Sequence, residues 1–498
     1  MTSLPSKQTR GMTGRPGAWL WALLALTVVR WVVAAKAPLV PDESYYWIWS
    51  QVPQASYYDH PPMVALFIRA GTLLAGNHPL GIRFLGPAAI AASTLLLADA
   101  AERFQQNRQQ VGLWTGCLFN ATLMAGVGGI LATPDLPQLF FWSFTIWALA
   151  KLESSQKGWW WWVIGLGCGL AILSKYTGIL LIAGILLWLI SCLKARHWLR
   201  HPALLGGACL MVVTASPVIV WNWQHQFVSL IKQGGRLGDG GSLTWRYLVE
   251  LVGSQAGLAT PIVFVLCVAG SLGAWQAWRR HQDSAAALLC CLILPGTLLF
   301  IWQATGSRVQ GNWPSMLLPA ACMAAASYGP AWGQAWRKPA VFLGFGLAAV
   351  VYLQATIGLI PLPNKLDVTL VRMAGWPEFA RQANQARANQ QATALVADNY
   401  ALASQLAFWA PKGCQVIGLS PRWSTFNLQP ARRLTEALYV RPERDDDGSL
   451  PAGLQAIGPT NTISRTRNGR LAENYRLIKV RLDSQQTEGS ALLPSANK

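Results

Sequence analysis

From Trp19 to about Ile360 the chain is a succession of apolar runs of about 15 to 20 residues, separated by short segments where charged residues collect. A helix at the surface of a soluble protein turns a polar face to water every turn; these runs have none. Each approaches the length of about 20 residues that crosses a hydrocarbon layer. Spans are placed near 18–35, 80–99, 111–131, 137–150, 159–173, 177–193, 203–220, 250–272, 285–302, 314–328 and 340–360. The first follows Lys7, Arg10 and Arg15 and lacks a small-residue cleavage site, so it reads as an uncleaved helix. The run HPPMVALFIRAGTLLAGN, 60–77, is shorter and carries Arg69 at its middle. It reads as a helix in the outer interface, opened by Pro61 and Pro62.

The pattern changes at IPLPNKLD. A polar helical stretch, 376–391, is followed by ATALVADN as a strand, NYALASQLAFW with helical spacing, and CQVIGL, EALYVR and YRLIKVRL as further strands. The expectation is a polytopic α-helical membrane protein of about 11 spans, residues 1–360, with a first outer loop at 36–79. An extracytoplasmic α/β domain, 361–498, follows and would cover the mouths of the helices and help to choose an acceptor.

Charge fixes the orientation. The net charge of +19 looks like a nucleic-acid signature, yet no nucleic-acid partner is expected, because the positive residues fall in short loops. With the N-terminus cytoplasmic, the inner loops hold fourteen Lys and Arg and the outer loops seven, although the outer loops are longer in total. This is the positive-inside pattern, and it makes the chain a multi-pass protein of the cell inner membrane with a periplasmic tail. Eight of nine cysteines lie in or beside apolar runs, Cys414 stands alone in the tail, and no CxxC pair exists. Neither a disulfide framework, a zinc site nor a redox pair is indicated.

Charged residues next to lipid are costly and are retained for a task. On this topology the outer side gathers Asp42 and Glu43 in PDESYYW, Asp59 and His60 in YYDHPP, Asp135 in ATPDLP, Lys175 in LSKYTG, Lys232, Arg236 and Asp239 in the fourth loop, and Arg308 in GSRVQGNWP. Acids and bases far apart in sequence would meet in one outer cavity. Such a cavity suits transfer of a sugar from a polyprenyl phosphate: cations hold the phosphate, a carboxylate takes the proton of the incoming hydroxyl, and carboxylates stabilise the positive sugar ring of the transition state.

PDESYYW, YYDHPP, ATPDLP and LSKYT, followed in order by a W-N loop ending in Arg, an N-W-P loop and an outer α/β tail, resemble the bacterial polyprenol-phosphate-dependent glycosyltransferases of the GT-C type. This family includes the aminoarabinose transferase of lipid A and its hexosyltransferase relatives, with protein O-mannosyltransferases as distant kin. The resemblance implies that Asp42 is the catalytic carboxylate with Glu43 beside it. It also implies that Tyr45, Tyr46, Tyr57, Asp59, His60, Asp135, Lys175 and Arg236 bind substrate. Tyr45 and His60 stand where the aminoarabinose branch has arginine and lysine, which points to the hexosyl side. A polyprenyl-phosphate sugar donor, a lipid or glycan acceptor and membrane lipids are the expected partners. No metal and no cofactor is expected.

Simpler roles exist for several of these residues. Asp42 and Asp135 could cap helices, Lys175 could snorkel from the end of a span, and Arg308 could anchor the interface. Asp239 reads as a residue of a Gly-rich loop. A flippase or transporter of polyprenyl-linked lipid is the alternative function; it requires charged residues at mid-membrane depth, whereas those here cluster at outer helix ends. A scaffold or sensor working through its tail finds no nucleophile–base pair there.

Overall fold

The computed structural model describes residues 17–105, 109–238, 244–429, 436–483 and 490–496. Among them six helices are long and apolar enough to cross a membrane: Ala18–Lys36, Pro79–Phe104, Pro202–Gln224, Pro261–His281, Ser284–Ala304 and Ala331–Ile357. Their lipid-facing surfaces carry side chains such as Val213, Leu298 and Phe342, while small residues let their inner faces approach closely. Shorter helices, Gln109–Asn120, Asp135–Ser155, Trp160–Ser174, Ile179–Ser191 and Leu318–Tyr328, fill out the bundle. Helix Asp135–Ser155 is central, with Trp142, Ile146 and Leu149 fully buried.

Two of the expected spans differ from a single continuous helix. The run 250–272 is two helices, Arg246–Leu258 and Pro261–His281, because Pro261 cannot donate the hydrogen bond that would continue the first. The run 111–131 stops as a regular helix at Asn120 and continues as the short turn Leu123–Gly126, capped by Thr122. The glycines that follow pack tightly: a Cβ on Gly129 would stand 2.4 Å from Ile90. Helix Met63–Ala75 forms where an interfacial helix was expected, partly buried against its neighbours.

The first outer loop folds as helix Pro41–Gln51, an extended aromatic stretch, and Met63–Ala75. Its anchor is Glu43, fully buried against Arg83. Arg83 uses every donor it has. Nε and Nη2 bond the two Glu43 oxygens at 2.6 and 2.5 Å; Nη1 and Nη2 bond the carbonyls of Ala34, Ala37 and Pro38. Glu43 also accepts from the backbone N–H groups of Val40 and Ala132. One ion pair thereby ties the end of the first helix, the start of the loop helix and the segment before Asp135.

The tail holds a six-stranded mixed sheet, Ala394–Ala397 at its middle, flanked in parallel by Gln415–Leu419 and Glu436–Pro442. Arg470–Leu482 and Leu454–Arg467 extend it as an antiparallel pair on one edge, and Ser490–Leu492 closes the other. Helices Trp376–Asn389 and Tyr400–Trp409 lie where helical spacing was read. The tail shares a core with the loop helix: Tyr45, Trp47, Ile48 and Trp49 pack with Trp376, Phe379, Leu402, Leu406 and Phe408. Helix Pro41–Gln51 is therefore held between the membrane bundle and the sheet domain.

Candidate active site

A cavity of about 660 Å³ opens between the bundle and the sheet domain. Asp42, Tyr45, Tyr46, Asp59, His60, Asp135 and Lys175 line it, seven of the ten residues singled out in the sequence. Four outer segments, spread from Asp42 to Lys175 along the sequence, thus meet at one place. Glu43 does not reach the cavity; it is spent on Arg83. Tyr57 does not reach it either: its ring stacks on Trp49 at 4.3 Å and its hydroxyl donates to the Trp49 carbonyl. Arg236 lies on helix Val228–Gly238, but its side chain falls outside the described residues, as does Asp239 altogether. Gln233 of that helix donates to the Asp59 carbonyl, and Lys232 lies 5.1 Å from the ring of Tyr58.

The simpler roles can be compared with the geometry. Val40, not Asp42, is the N-cap residue of helix Pro41–Gln51, and Asp42 caps nothing. Asp135 makes no capping bond. Its oxygens accept from Lys175 Nζ at 2.6 Å and Asn312 Nδ2 at 2.7 Å, so Lys175 turns inward instead of snorkelling. Arg308 pairs with Glu250 at 3.0 Å on the cavity wall.

The cavity balances its charges locally. Asp59 pairs with Arg422 and accepts from Tyr45 Oη at 3.0 Å. Asp135 pairs with Lys175, and Glu250 with Arg308. Among the described residues Asp42 is the one lining carboxylate with no cation within ion-pair distance, and Arg372 the one lining cation with no carboxylate there. Burial raises the Asp42 carboxyl above its ordinary range, while the positive charge of Arg372 and a hydrogen bond from Tyr400 pull it partly back. Tyr400 itself is pushed up to about 12, first by burial and then by the negative charge of Asp42, so its phenol stays protonated and donates.

Three lining residues come from the tail and carry no motif: Arg372, Tyr400 and Arg422. The Arg422 guanidinium lies 4.0 Å from the Tyr400 ring and within 6 Å of Tyr45 and Tyr58. Nothing local in PRWST distinguishes it from a surface arginine; only the long-range docking of the domain does. Among the described residues no group of three or more His, Cys, Asp or Glu is arranged to hold a metal ion.

Known proteins resemble the chain in sequence and in fold. Residues 59–221 match the family described as dolichyl-phosphate-mannose-protein mannosyltransferase. The chain is 28% identical over 379 residues to the lipid A galacturonosyltransferase RgtD of Rhizobium johnstonii, covering 74% of this chain and 76% of that protein. Its fold matches ArnT from Cupriavidus metallidurans bound to undecaprenyl phosphate with a TM-score of 0.64 at 14% identity, over 93% of this chain and 98% of ArnT. The apo form of ArnT gives 0.58 at 13% identity, over 94% and 98%. The chain is thus similar to membrane glycosyltransferases in sequence and has an ArnT-like fold. The cavity is the meeting place of the loops that carry its polar residues, roofed by a sheet domain.

Proposed function

We propose that the enzyme moves a sugar from a polyprenyl phosphate to a hydroxyl of a lipid or glycan acceptor, with inversion at the anomeric carbon and Asp42 as the general base. The reaction takes place on the outer face of the cytoplasmic membrane, beneath a periplasmic sheet domain. The observation that carries this reading is that, among the described residues, Asp42 is the one lining carboxylate with no cation within ion-pair distance. Asp59, Asp135 and Glu250 spend their charge on arginine and lysine, whereas Asp42 can accept a proton without breaking an ion pair.

In this reading the acceptor oxygen forms a bond to the anomeric carbon as the bond from that carbon to the phosphate oxygen breaks. Asp42 takes the hydroxyl proton, and polyprenyl phosphate leaves with its electron pair. Lys175, Arg308 and the outer-loop segment of Arg236 supply positive charge toward the phosphate. Tyr46 and Tyr400 offer ring faces and hydroxyls to the sugar. The buried phenol of Tyr46 is held well above its ordinary range by desolvation and nearby carboxylates, so it remains a donor.

The donor's tail also has a place. An apolar hollow of about 480 Å³ is lined by Leu251, Phe264, Trp275, Phe300 and Leu317 among others. Helix Arg246–Leu258 serves both hollows: Glu250 and Ser254 line the polar cavity, Leu251 and Gln255 the apolar one. A long isoprenoid with its phosphate at the polar end suits that arrangement, and the ArnT structure named above holds undecaprenyl phosphate. With Tyr45 and His60 at the positions that separate the branches, a hexose or hexuronic acid is the favoured sugar, in line with the galacturonosyl relative.

The transport alternative needs a charged residue inside the membrane on a substrate path. Arg30, in the middle of the first helix, is fully buried, but it donates to Asn120, whose amide bonds Thr94, and so joins three helices. The deciding experiment supplies β- or α-configured undecaprenyl-phosphate sugars to the purified enzyme in proteoliposomes with envelope lipid extract, and reads the product's anomeric configuration by NMR. Inversion is expected. Retention, or movement of the donor across the bilayer without a new glycosidic bond, overturns the proposal.

A further inference from the structure

A second hollow of about 310 Å³ lies against the first and shares three residues with it: Asp42, Arg372 and Tyr400. Asp42 therefore stands at the neck between two chambers. The larger adjoins the apolar hollow and the lysine and arginine pairs of the outer loops. The smaller is built mainly by the sheet domain, with Asn399, Arg444, Arg465, Glu473 and Tyr475 on its walls. A base that serves two substrates belongs between them, with the donor on one side and the acceptor hydroxyl arriving from the other.

Three arginines, Arg372, Arg444 and Arg465, line the smaller chamber against two carboxylates, Asp42 and Glu473. Arg444, 64% exposed at its side chain, pairs with Glu473 at 3.0 Å. Arg465 is fully buried; it pairs with Glu473 at 3.6 Å and donates to the carbonyls of Val371 and Ala374, at 2.7 and 2.6 Å. These carbonyls bracket Arg372. The buried arginine thereby fixes the turn that presents Arg372 at the neck, where it is exposed and, among the described residues, without an ion-pair partner. An exposed guanidinium held in place by a buried one, with a second arginine facing the same hollow, fits an anionic group on a saccharide.

We infer that the chamber of Arg372 and Arg444 is the acceptor site, and that it selects a saccharide headgroup bearing a phosphate or a carboxylate. The inference rests on the glycosyl-transfer reading and names the acceptor's chemistry. Its hydroxyl reaches Asp42 past Tyr400 while its anion stays with Arg372.

Binding of three probes to the purified full chain in nanodiscs tests this: lipid A with its phosphates, the same lipid A after phosphatase, and a neutral lipid bearing a short galacturonate chain. The anionic probes should bind about tenfold or more tighter than the dephosphorylated one. Phosphate and carboxylate sources are separated by comparing the first and third. In the Arg372→Gln, Arg444→Gln double variant the preference should fall below about threefold, and Arg444→Gln alone should leave undecaprenyl phosphate binding within about twofold of wild type. Equal binding of all three probes, or a preference unchanged in the double variant, overturns the acceptor assignment. A wild-type chain that ignores undecaprenyl phosphate counts instead against the donor reading, and the headgroup comparison stands apart from it.

Discussion

Tyr400 donates a hydrogen bond from its phenol to Oδ1 of Asp42 at 3.3 Å, across 358 residues of sequence. The sheet domain thus touches the proposed base directly. The bond favours the charged form of Asp42 and offsets part of the desolvation that raises its pKa. A base works only when ionised, so kcat/KM should rise with pH along an acid limb set above the ordinary carboxylate range. Tyr400→Phe and Arg372→Gln each remove an influence that lowers the Asp42 pKa, and each should move that limb to higher pH. A pH–rate series on both variants checks the sign; an acid limb unmoved in both contradicts the assignment.

Arg422 should resist conservative replacement. It pairs with Asp59 while its guanidinium stands 4.0 Å from the centre of the Tyr400 ring, a combination that a planar guanidinium makes more readily than an ammonium. Arg422→Lys is expected to lose roughly tenfold in kcat/KM, close to the loss in Arg422→Ala, because the guanidinium's contact with the Tyr400 ring disappears in both. Steady-state kinetics on the two variants, with unfolding temperatures alongside, would show it.

The difference between Asp42 and Glu43 shows what sequence can and cannot carry. Both were legible as an acidic pair at the head of an outer loop. Which one faces the cavity depends on Arg83, forty residues on and beyond two helices, and no local pattern marks that pairing. The apolar runs gave most helices their places because lipid demands it residue by residue. Breaks at Pro261 and after Asn120 were smoothed over, since hydropathy averages across a turn. Four of the six strands described in the tail are readable from their apolar pattern, whereas Leu454–Arg467, largely polar and exposed, and the three-residue Ser490–Leu492 are not; nor are Arg372, Tyr400 and Arg422, because a side chain brought to the site by docking carries no local signature.

Glu43 is expected to matter for folding. Removing one member of a buried ion pair strands the other, at a cost of about 3–5 kcal/mol. Glu43→Gln keeps the shape and removes the charge that Arg83 Nε and Nη2 bond. It should lower the unfolding temperature sharply in detergent, whereas replacing the exposed Arg381 should leave it unchanged. A thermal unfolding series compares them.

Gly81 should be intolerant of a side chain. A Cβ there would stand 1.8 Å from the Gly76 carbonyl oxygen, and on Gly71 it would stand 2.3 Å from the carbonyl of Gly81. These approaches set the crossing that brings Arg83 back to Glu43. Gly81→Ala is expected to destabilise by at least about 1–3 kcal/mol, as overpacking does, and to reduce activity through the displaced loop helix. Folded yield and melting temperature report the effect.

The most direct measurement is the turnover of Asp42→Asn with undecaprenyl-phosphate sugar, taken together with its thermal stability. The Asp42 pKa is raised on folding, so its ionised form costs stability above that pKa, and removing the charge should leave the melting temperature at neutral pH equal or higher. Loss of a general base should cut kcat by about 10²- to 10⁴-fold in this well-folded variant. Near-wild-type turnover in an equally stable Asp42→Asn chain would contradict the account.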